Sequence, residues 1–135
     1  MKRKTKKKLP SLPKLKAKAW TIFSRIVRQF YSDHRGMCEC VTCGKQAHWK
    51  EMHAGHFIAK NKGGRLWFEW RNVHPQCAYC NKYLHGNLVN YTQYMIKMYG
   101  EDEVERLKSL AGVWKTTRSE YMDLIEHLEQ CENEV

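Results

Sequence analysis

Apolar residues recur at helical spacing in the first quarter of the chain. The residues that share this period are Trp20, Phe23, Ile26, Val27 and Phe30. Steps of three and four positions are typical of an α-helix with one buried face. The pattern predicts a helix from Lys16 to about Asp33, with its Trp and Phe side chains in the core and with Arg25 and Arg28 facing solvent or DNA.

The last third of the chain carries three further segments with helical character. A helix over Asn87–Tyr99 is expected to end at Gly100, and a second should cover Glu101–Ala111. A third begins at about Thr117, because Thr117 and Glu120 have the spacing of a capping box. This last helix has an apolar stripe that is either core or a dimer face, formed by Tyr121, Leu124, Ile125 and Leu128.

Residues 34–87 break the helical pattern and are rich in Cys, His, Gly and Asn, with short strand-like pieces such as Met52–Ile58. Helices flanking a small irregular core with short strands predict an α+β fold. The length of 135 residues fits one domain. We therefore expect a flexible arm over residues 1–16 and a single domain over residues 17–135, whose C-terminal helices occupy about 101–131.

The positive charge is concentrated at the N-terminus. The formal net charge is +10, yet outside the first 18 residues the 15 basic and 14 acidic residues nearly balance. Pro10 and Pro13 favour a flexible arm, and a basic arm suits phosphate backbones, although a solubilising arm is the alternative. The nine basic residues predicted to contact DNA are Lys2, Arg3, Lys4, Lys6, Lys7, Lys8, Lys14, Lys16 and Lys18.

No apolar run approaches the roughly 20 residues that a membrane span needs. The basic N-terminus is not followed by the apolar region of a secretory signal. We therefore expect a cytoplasmic protein, in which paired cysteines indicate a metal site more than disulfides.

Four of the six cysteines form two Cys-x-x-Cys pairs, Cys40 with Cys43 and Cys77 with Cys80. A two-residue spacer lets one turn present two thiolates to one tetrahedral zinc ion. Four protein ligands leave no open position, so the predicted zinc is structural, with one ion per chain. Cys38 could compete with Cys40, and Cys131 is expected to be an ordinary thiol.

Between the two pairs the sequence runs through His53-Ala54-Gly55-His56, then Lys62-Gly63-Gly64 and Asn72, and Asn81 directly follows Cys80. This order resembles the HNH nucleases, also called ββα-metal or His-Me finger nucleases. The resemblance implies a general base at His56 and an Asn72 that braces the loop carrying the base. It also implies a divalent metal ligand at Asn81.

The chemistry of phosphodiester hydrolysis is consistent with these residue types. A neutral His can take a proton from water near neutral pH, and Mg²⁺ or Mn²⁺ can relieve charge at the phosphate. His85 lies four residues after Asn81, which would place both on one helical face and make His85 the second ligand. Many relatives carry Asp or His where this chain has Gly55, so the substrate phosphate, His53 or His74 would have to complete the site.

Residues 12–100 also resemble the NinG and Rap family of phage lambda recombination proteins. The segments that carry this likeness are Lys14–Ile26, Cys40–Lys45, Ala54–Ile58 and Asn72–Asn87. The four-cysteine site followed by Asn is similar to phage T4 endonuclease VII, a junction resolvase. The resemblance implies a DNA endonuclease selective for Holliday junctions and D-loops in phage recombination. Partner recombination proteins from phage or host follow from the same likeness.

Cutting opposed strands of a junction calls for two active sites, so we expect a homodimer. Two other functions are compatible with the same motifs. One is a sequence-specific or nonspecific HNH nickase, and the other is a non-catalytic zinc module that binds nucleic acid. The zinc pairs and the charge fit all of these, whereas the ordered His56, Asn72 and Asn81 favour an enzyme.

Overall fold

The computed structural model describes residues 8–59, 64–112 and 115–134. The helices are α1 (Leu12–Phe30), α2 (Gly64–Trp67), α3 (Leu88–Tyr99), α4 (Glu101–Ser109) and α5 (Arg118–Glu134). The strands are β1 (Met37–Glu39), β2 (Gln46–His48), β3 (His53–His56) and β4 (Val73–Gln76). Helices with two small antiparallel sheets confirm the predicted α+β class.

Helix α1 begins at Leu12, four residues before the predicted start, and ends at Phe30 rather than near Asp33. The Ser11 hydroxyl caps it by accepting a hydrogen bond from the Lys14 amide at 3.4 Å. Pro13 lies in the first turn, where a missing N–H costs nothing. Residues 12–16, which we had predicted to be part of a flexible arm, are therefore helical.

Helices α1 and α5 pack against each other and form the largest apolar cluster. Ile22, Phe23 and Ile26 of α1 meet Ile125 and Leu128 of α5 in this cluster. The apolar stripe of α5 is therefore core, and the alternative interpretation as a dimer face is wrong. The capping box is confirmed, because Thr117 and Glu120 each accept a hydrogen bond from the other's backbone amide.

The two arginines of α1 do not point freely into solvent as predicted. Arg25 makes a bidentate ion pair with Glu132 of α5, at 2.6 and 2.9 Å. Arg28 donates to the backbone carbonyl of Trp49 at 3.1 Å. Both side chains therefore hold α1 to its neighbours.

The second hairpin positions the residues of interest. Strands β3 and β4 pair antiparallel, with His53 opposite Gln76 and His56 opposite Val73. Ala54 and Val73 join the cluster with α1. The other side of the hairpin approaches α3, whose Tyr91 hydroxyl donates to the Gly55 carbonyl at 2.8 Å. The hairpin is thus held between α1 and α3.

Helices α3 and α4 follow the predicted boundaries closely. Gly100 separates them with a φ of +87°, a left-handed value that favours glycine. Their buried residues Tyr91, Met95, Val104 and Leu107 form a second apolar cluster with residues of the segment between β3 and β4. Among residues 8–59, 64–112 and 115–134, no helix is long and apolar enough to cross a membrane.

Between β4 and α3 lies a short π-helix, Tyr79–Tyr83. Its wider turn is seen in the bond from the Leu84 amide to the Tyr79 carbonyl at 2.9 Å, five residues back. The chain then leaves the helix through His85 and Asn87, whose φ angles are +50° and +48°. π-Helices are frequent at functional sites, which directs attention to this segment.

Candidate zinc cluster and adjoining cavity

The structure brings the four predicted cysteines together. The sulfurs of Cys40, Cys43, Cys77 and Cys80 all lie within 4.8 Å of one another, and Cys43 Sγ is 3.7 Å from Cys77 Sγ. Zinc–sulfur bonds of about 2.3 Å give a tetrahedral edge of about 3.8 Å. The cluster therefore fits a structural zinc ion.

Local hydrogen bonds favour the thiolate form of Cys40, whereas burial raises the pKa of Cys43 and of Cys77. The Cys80 amide donates to Cys77 Sγ at 3.4 Å, and Gly44 turns the first knuckle with a φ of +81°. Burial acts to raise the pKa of Cys40, but donors from Thr42, Cys77 and Cys43 outweigh it and lower that pKa to about 6. A thiolate held in this way is the form that binds zinc.

The two remaining cysteines lie outside the cluster. Cys38 is buried in β1, and burial raises its pKa to about 11. Cys131 is half-buried in α5, with its sulfur 3.6 Å from His127 Nε2. Cys40, rather than Cys38, is thus the residue that joins the other three.

Beside the cluster opens a cavity of about 570 Å³. It contains the predicted base and both predicted ligands of the catalytic metal. Its lining is His53, Ala54, His56, Ala59, Asn81, Lys82, His85 and Gly86. Asn81 directly follows Cys80, so the zinc cluster fixes the backbone of the segment that lines this cavity.

His56 lies at the end of β3 and is only 8% exposed. Its Nε2 is 2.9 Å from the Trp67 carbonyl. A carbonyl only accepts hydrogen bonds, so Nε2 carries the proton and Nδ1 is the basic nitrogen of the neutral ring. Trp20 of α1 stacks on the imidazole, with ring centroids 4.8 Å apart. These two contacts fix both the tautomer and the plane of the ring.

Asn72 is fully buried and does not line the cavity. Its Oδ1 accepts from the Ile58 amide at 2.8 Å, and its Nδ2 donates to the carbonyls of Ile58 and Leu66 at 3.1 and 2.9 Å. One side chain thus ties together the two ends of the segment that follows β3. Part of that segment, residues 60–63 with Lys62 and Gly63 of the Gly-Gly motif, lies outside the described residues.

Asn81 faces His53 across the cavity. Its Nδ2 donates to His53 Nδ1 at 3.1 Å, which leaves Oδ1 as the amide atom with lone pairs for a cation. The π-helix ends at Tyr83, so the predicted helical face shared by Asn81 and His85 is wrong. His85 reaches the same cavity by a different route, through the turn after the helix.

His74 does not belong to the cavity, and its suggested role as a metal ligand is wrong. It is fully buried, with Nδ1 2.9 Å from the Tyr91 hydroxyl and Nε2 2.8 Å from the Tyr99 hydroxyl. Tyr91 donates its own proton to Gly55, so His74 Nδ1 must be the donor to Tyr91. Burial lowers the pKa of His74 to about 4 and keeps it neutral.

The position of Gly55 is explained by Gln76. A Cβ at residue 55 would overlap Gln76 Oε1 and lie 2.7 Å from its Cδ. Gln76 is fully buried, and its Nε2 donates to Thr42 Oγ1 at 3.1 Å and to the Gly86 carbonyl at 2.8 Å. The Gln76 side chain therefore occupies the space where a carboxylate at position 55 would begin.

Sequence reasoning missed two groups at the cavity. Lys82 lines it, and its place next to Asn81 was a signal that could have identified it. The Trp67 carbonyl that orients His56 has no sequence signal, because any residue could supply a carbonyl. Of the predicted DNA contacts, Lys16 places its ammonium 3.5 Å from the Trp67 ring centroid.

The other basic residues of the N-terminal region divide into two groups. Lys8 and Lys14 are exposed, and Lys18 lies 3.6 Å from Glu129 of α5. The remaining predicted contacts lie outside the described residues, namely Lys2, Arg3, Lys4, Lys6 and Lys7. Lys14, Lys16 and Lys18 thus lie at the start of α1, the helix that also carries Trp20, and Lys8 precedes this helix.

Comparisons with known proteins give a family. Residues 1–134 match the family model described as Bacteriophage Lambda NinG protein. The chain is 36% identical over 72 residues to the protein ninG of Escherichia phage lambda and to that of Escherichia phage 933W. That alignment covers 52% of this chain and 34% of each relative, so it spans about a third of the curated relatives' length. No solved structure matches. Because the family model covers nearly the whole sequence, the chain belongs to the NinG family of bacteriophage proteins.

Proposed function

We propose that this chain is a divalent-metal-dependent DNA endonuclease with a ββα-metal (HNH) site, acting on branched intermediates of phage recombination. The observation that carries the proposal is the cavity that His56, Asn81 and His85 line together. His56 has a fixed tautomer with Nδ1 as its basic atom. The proposal is also supported by the chain order, in which the hairpin of β3 and β4 is followed by the π-helix.

The chain's own groups account for the proton transfer. His56 Nδ1 takes a proton from water as the water oxygen attacks phosphorus, and the bond to the 3′ oxygen breaks. The leaving oxygen takes up a proton from solvent, giving a 3′ hydroxyl and a 5′ phosphate. Asn72, which binds the ends of the segment after β3, is a positioning residue in this scheme.

The chemical type of the side chains in the cavity determines which divalent metal ion the cavity would bind best. Asn81 and His85 would hold the ion, and the ion would relieve charge at the phosphate. His53 is not a further donor in this arrangement, because its Nδ1 accepts from Asn81 and its Nε2 then carries the proton of the neutral ring. Among the described residues that line the cavity, none is acidic. Mg²⁺ prefers carboxylate oxygen, so neutral amide and imidazole donors favour Mn²⁺, with the substrate phosphate as the anionic ligand.

The proposal is tested by cleavage of a labelled four-way junction beside a matched linear duplex, with Mn²⁺ or Mg²⁺. His56→Gln keeps an N–H that can reach the Trp67 carbonyl but has no basic nitrogen, so it separates catalysis from folding. His34→Ala, at an exposed histidine outside the cavity, is the matched control. We expect wild type and His34→Ala to cut the junction and His56→Gln to lose at least 10²-fold in rate.

Other outcomes identify the alternatives. Equal cutting of junction and duplex would support the hydrolytic site but would favour a nickase over a junction-selective enzyme. Wild-type cutting by His56→Gln would overturn the assignment of the base. Absence of cutting by folded, zinc-loaded protein that binds DNA would favour the non-catalytic module, which the lack of a carboxylate in the cavity supports.

A homodimer remains part of the proposal, because a junction needs two opposed cuts. The apolar stripe of α5 is buried against α1 and is not available for this contact. Sedimentation or light scattering with and without junction DNA tests the state. A protein mass that stays near 16 kDa per particle in both would count against the dimer.

A further inference from the structure

Two exposed tyrosines lie on the π-helix, which also carries the cavity residues Asn81 and Lys82. Tyr79 is 61% exposed and Tyr83 is 67% exposed. Their rings are nearly parallel, with an interplanar angle of 30° and centroids 6.1 Å apart. Side chains of this size contribute most when buried, so leaving both open requires an explanation other than core packing.

The two tyrosines are adjacent to cationic and cavity-lining residues. Asn81 and Lys82 lie between them in the sequence and both line the cavity. The Lys82 ammonium is 5.9 Å from the centroid of the Tyr83 ring. Lys82, which lines the cavity and also lies near the Tyr83 ring, is therefore the residue that connects the tyrosine pair with the cavity.

The charge of this region favours an anionic partner. Residues 70–100 contain no Asp or Glu, whereas Lys82 and Lys97 are basic. Arg71 is also basic, but its charge is compensated by Glu103 of α4 at 3.4 Å. The same stretch supplies the exposed aromatic pair. Basic charge combined with open aromatic rings is the composition by which proteins bind unpaired nucleotides, with bases on the rings and phosphates at the cations.

We infer that Tyr79 and Tyr83 form a stacking platform for unpaired nucleobases next to the cavity, with Lys82 on the adjoining phosphate. Paired bases within a duplex are already stacked on their neighbours and do not offer these faces. The platform therefore distinguishes DNA with unpaired nucleotides, such as a single-stranded flap at a branch point, from continuous duplex. This inference rests on the proposed function for its substrate, and it assigns the selectivity to named residues.

The test measures equilibrium binding without added Mg²⁺ or Mn²⁺, so that cleavage does not enter. Fluorescence anisotropy compares a labelled duplex carrying a single-stranded flap with a fully paired duplex of the same length. The proteins are wild type, Tyr79→Ala/Tyr83→Ala, Tyr79→Phe/Tyr83→Phe, and Met122→Ala. Met122→Ala, at an exposed apolar residue on α5, is the control for loss of exposed surface. Zinc content and thermal melting confirm that each variant is folded.

We expect the alanine pair to weaken flap binding at least about ten-fold, because stacking contributes about 1–3 kcal/mol per base. Its affinity for paired duplex should change less than two-fold. The phenylalanine pair keeps the ring faces and should bind the flap like wild type, as should Met122→Ala. Equal weakening on both DNAs, or wild-type flap binding by the alanine pair, would overturn the inference.

The outcome is separable from that of the proposed nuclease. Selective loss of flap binding in a protein that cuts nothing would leave the platform intact and remove the enzyme. His56-dependent cutting together with wild-type flap binding by the alanine pair would leave the enzyme intact and remove the platform.

Discussion

At the scale of single residues, the contact between Gly55 and Gln76 determines what the cavity can contain. Gln76 is anchored at its amide nitrogen by Thr42 and Gly86, so it cannot turn away without losing two hydrogen bonds. Loss of a buried hydrogen bond costs about 1–3 kcal/mol. The absence of a carboxylate beside His56 is therefore built into the packing.

Replacing Gly55 by Ala should destabilise the protein by about 1–3 kcal/mol, because the new Cβ overlaps Gln76. Urea unfolding of the zinc-loaded protein measures this cost. In a Gln76→Ala background the same substitution should cost less, since the overlapping atoms are gone. An equal cost in both backgrounds would show that Gln76 is not the obstacle.

His74 should make stability depend on pH below neutrality. Its pKa in the folded state is about 4, below the ordinary value of 6.5. Between pH 6.5 and pH 4, His74 is therefore protonated in the unfolded chain and neutral in the folded chain. Stability should therefore fall as pH decreases from 6.5 to 4, by up to about 3 kcal/mol, and His74 should add no slope above 6.5.

The measurement is the free energy of unfolding at pH 7 and pH 5 for wild type and His74→Gln. Both proteins retain the four cysteines, so any loss of zinc in acid affects them alike. We expect a shallower pH slope in His74→Gln. Identical slopes would remove His74 as the source.

The fate of His74 also shows where sequence reasoning stops at this scale. The clustering of the four cysteines was predicted correctly, because the two-residue spacer within each Cys-x-x-Cys pair brings its two thiolates into one turn. His74 was a candidate ligand by proximity in sequence, yet its partner Tyr99 lies 25 residues away on α3. No local pattern in the sequence indicates a contact over this separation.

At the scale of secondary structure elements, the zinc cluster joins two segments that have little else to hold them. Strands β1 and β2 contain three residues each, and short two-stranded hairpins are marginal on their own. The π-helix has five residues. Cys40 and Cys43 follow β1, and Cys80 lies within the π-helix, so one ion would fix both segments.

Removing one zinc ligand should therefore release zinc and cost at least about 3 kcal/mol of stability, since structural zinc contributes on the order of 10 kcal/mol. Cys43→Ser is the test and Cys131→Ser is the control, because Cys131 lies outside the cluster. Elemental analysis should give one zinc per chain in wild type and Cys131→Ser and less in Cys43→Ser. Full zinc and an unchanged melting temperature in Cys43→Ser would contradict the site.

The elements themselves were predictable to different degrees. Gly100 and the Thr117–Glu120 box set helix ends through local backbone chemistry, so the starts of α3, α4 and α5 were located to within one residue. The end of α5, at Glu134, lies three residues beyond the predicted 131. The start of α1 was missed although Ser11 and Pro13 signal it. The π-helix was missed because an i to i+5 turn leaves no periodic signature in five residues.

At the scale of the whole molecule, α1 connects the basic N-terminal region with the cavity. The basic N-terminus enters α1, and α1 carries Lys16 and Trp20 to the side of the cavity formed by His56. Positive charge at the N-terminus is thus attached to the wall of the proposed active site. This arrangement suits a substrate that is both long and anionic.

Deleting residues 1–8 should weaken DNA binding and flatten its salt dependence, because six basic residues are removed. The cut ends before Ser11, so the cap and first turn of α1 remain. Binding titrations from low to moderate salt give the slope of log Kd against log salt concentration. A slope equal to that of the full chain would assign the arm a solubilising role.

Cys43 is the exposed member of the cysteine cluster, and a bound metal ion would be most accessible from its side. Three of the clustered cysteines are buried and Cys43 is exposed, so chelators and oxidants reach the metal from this side first. Loss of the first knuckle would loosen the segment beginning at Cys80, to which Asn81 is attached by a single peptide bond. Chelation or oxidation at Cys43 is therefore expected to disturb the lining of the cavity before it unfolds the α1–α5 core, which is built from apolar contacts that do not involve these cysteines.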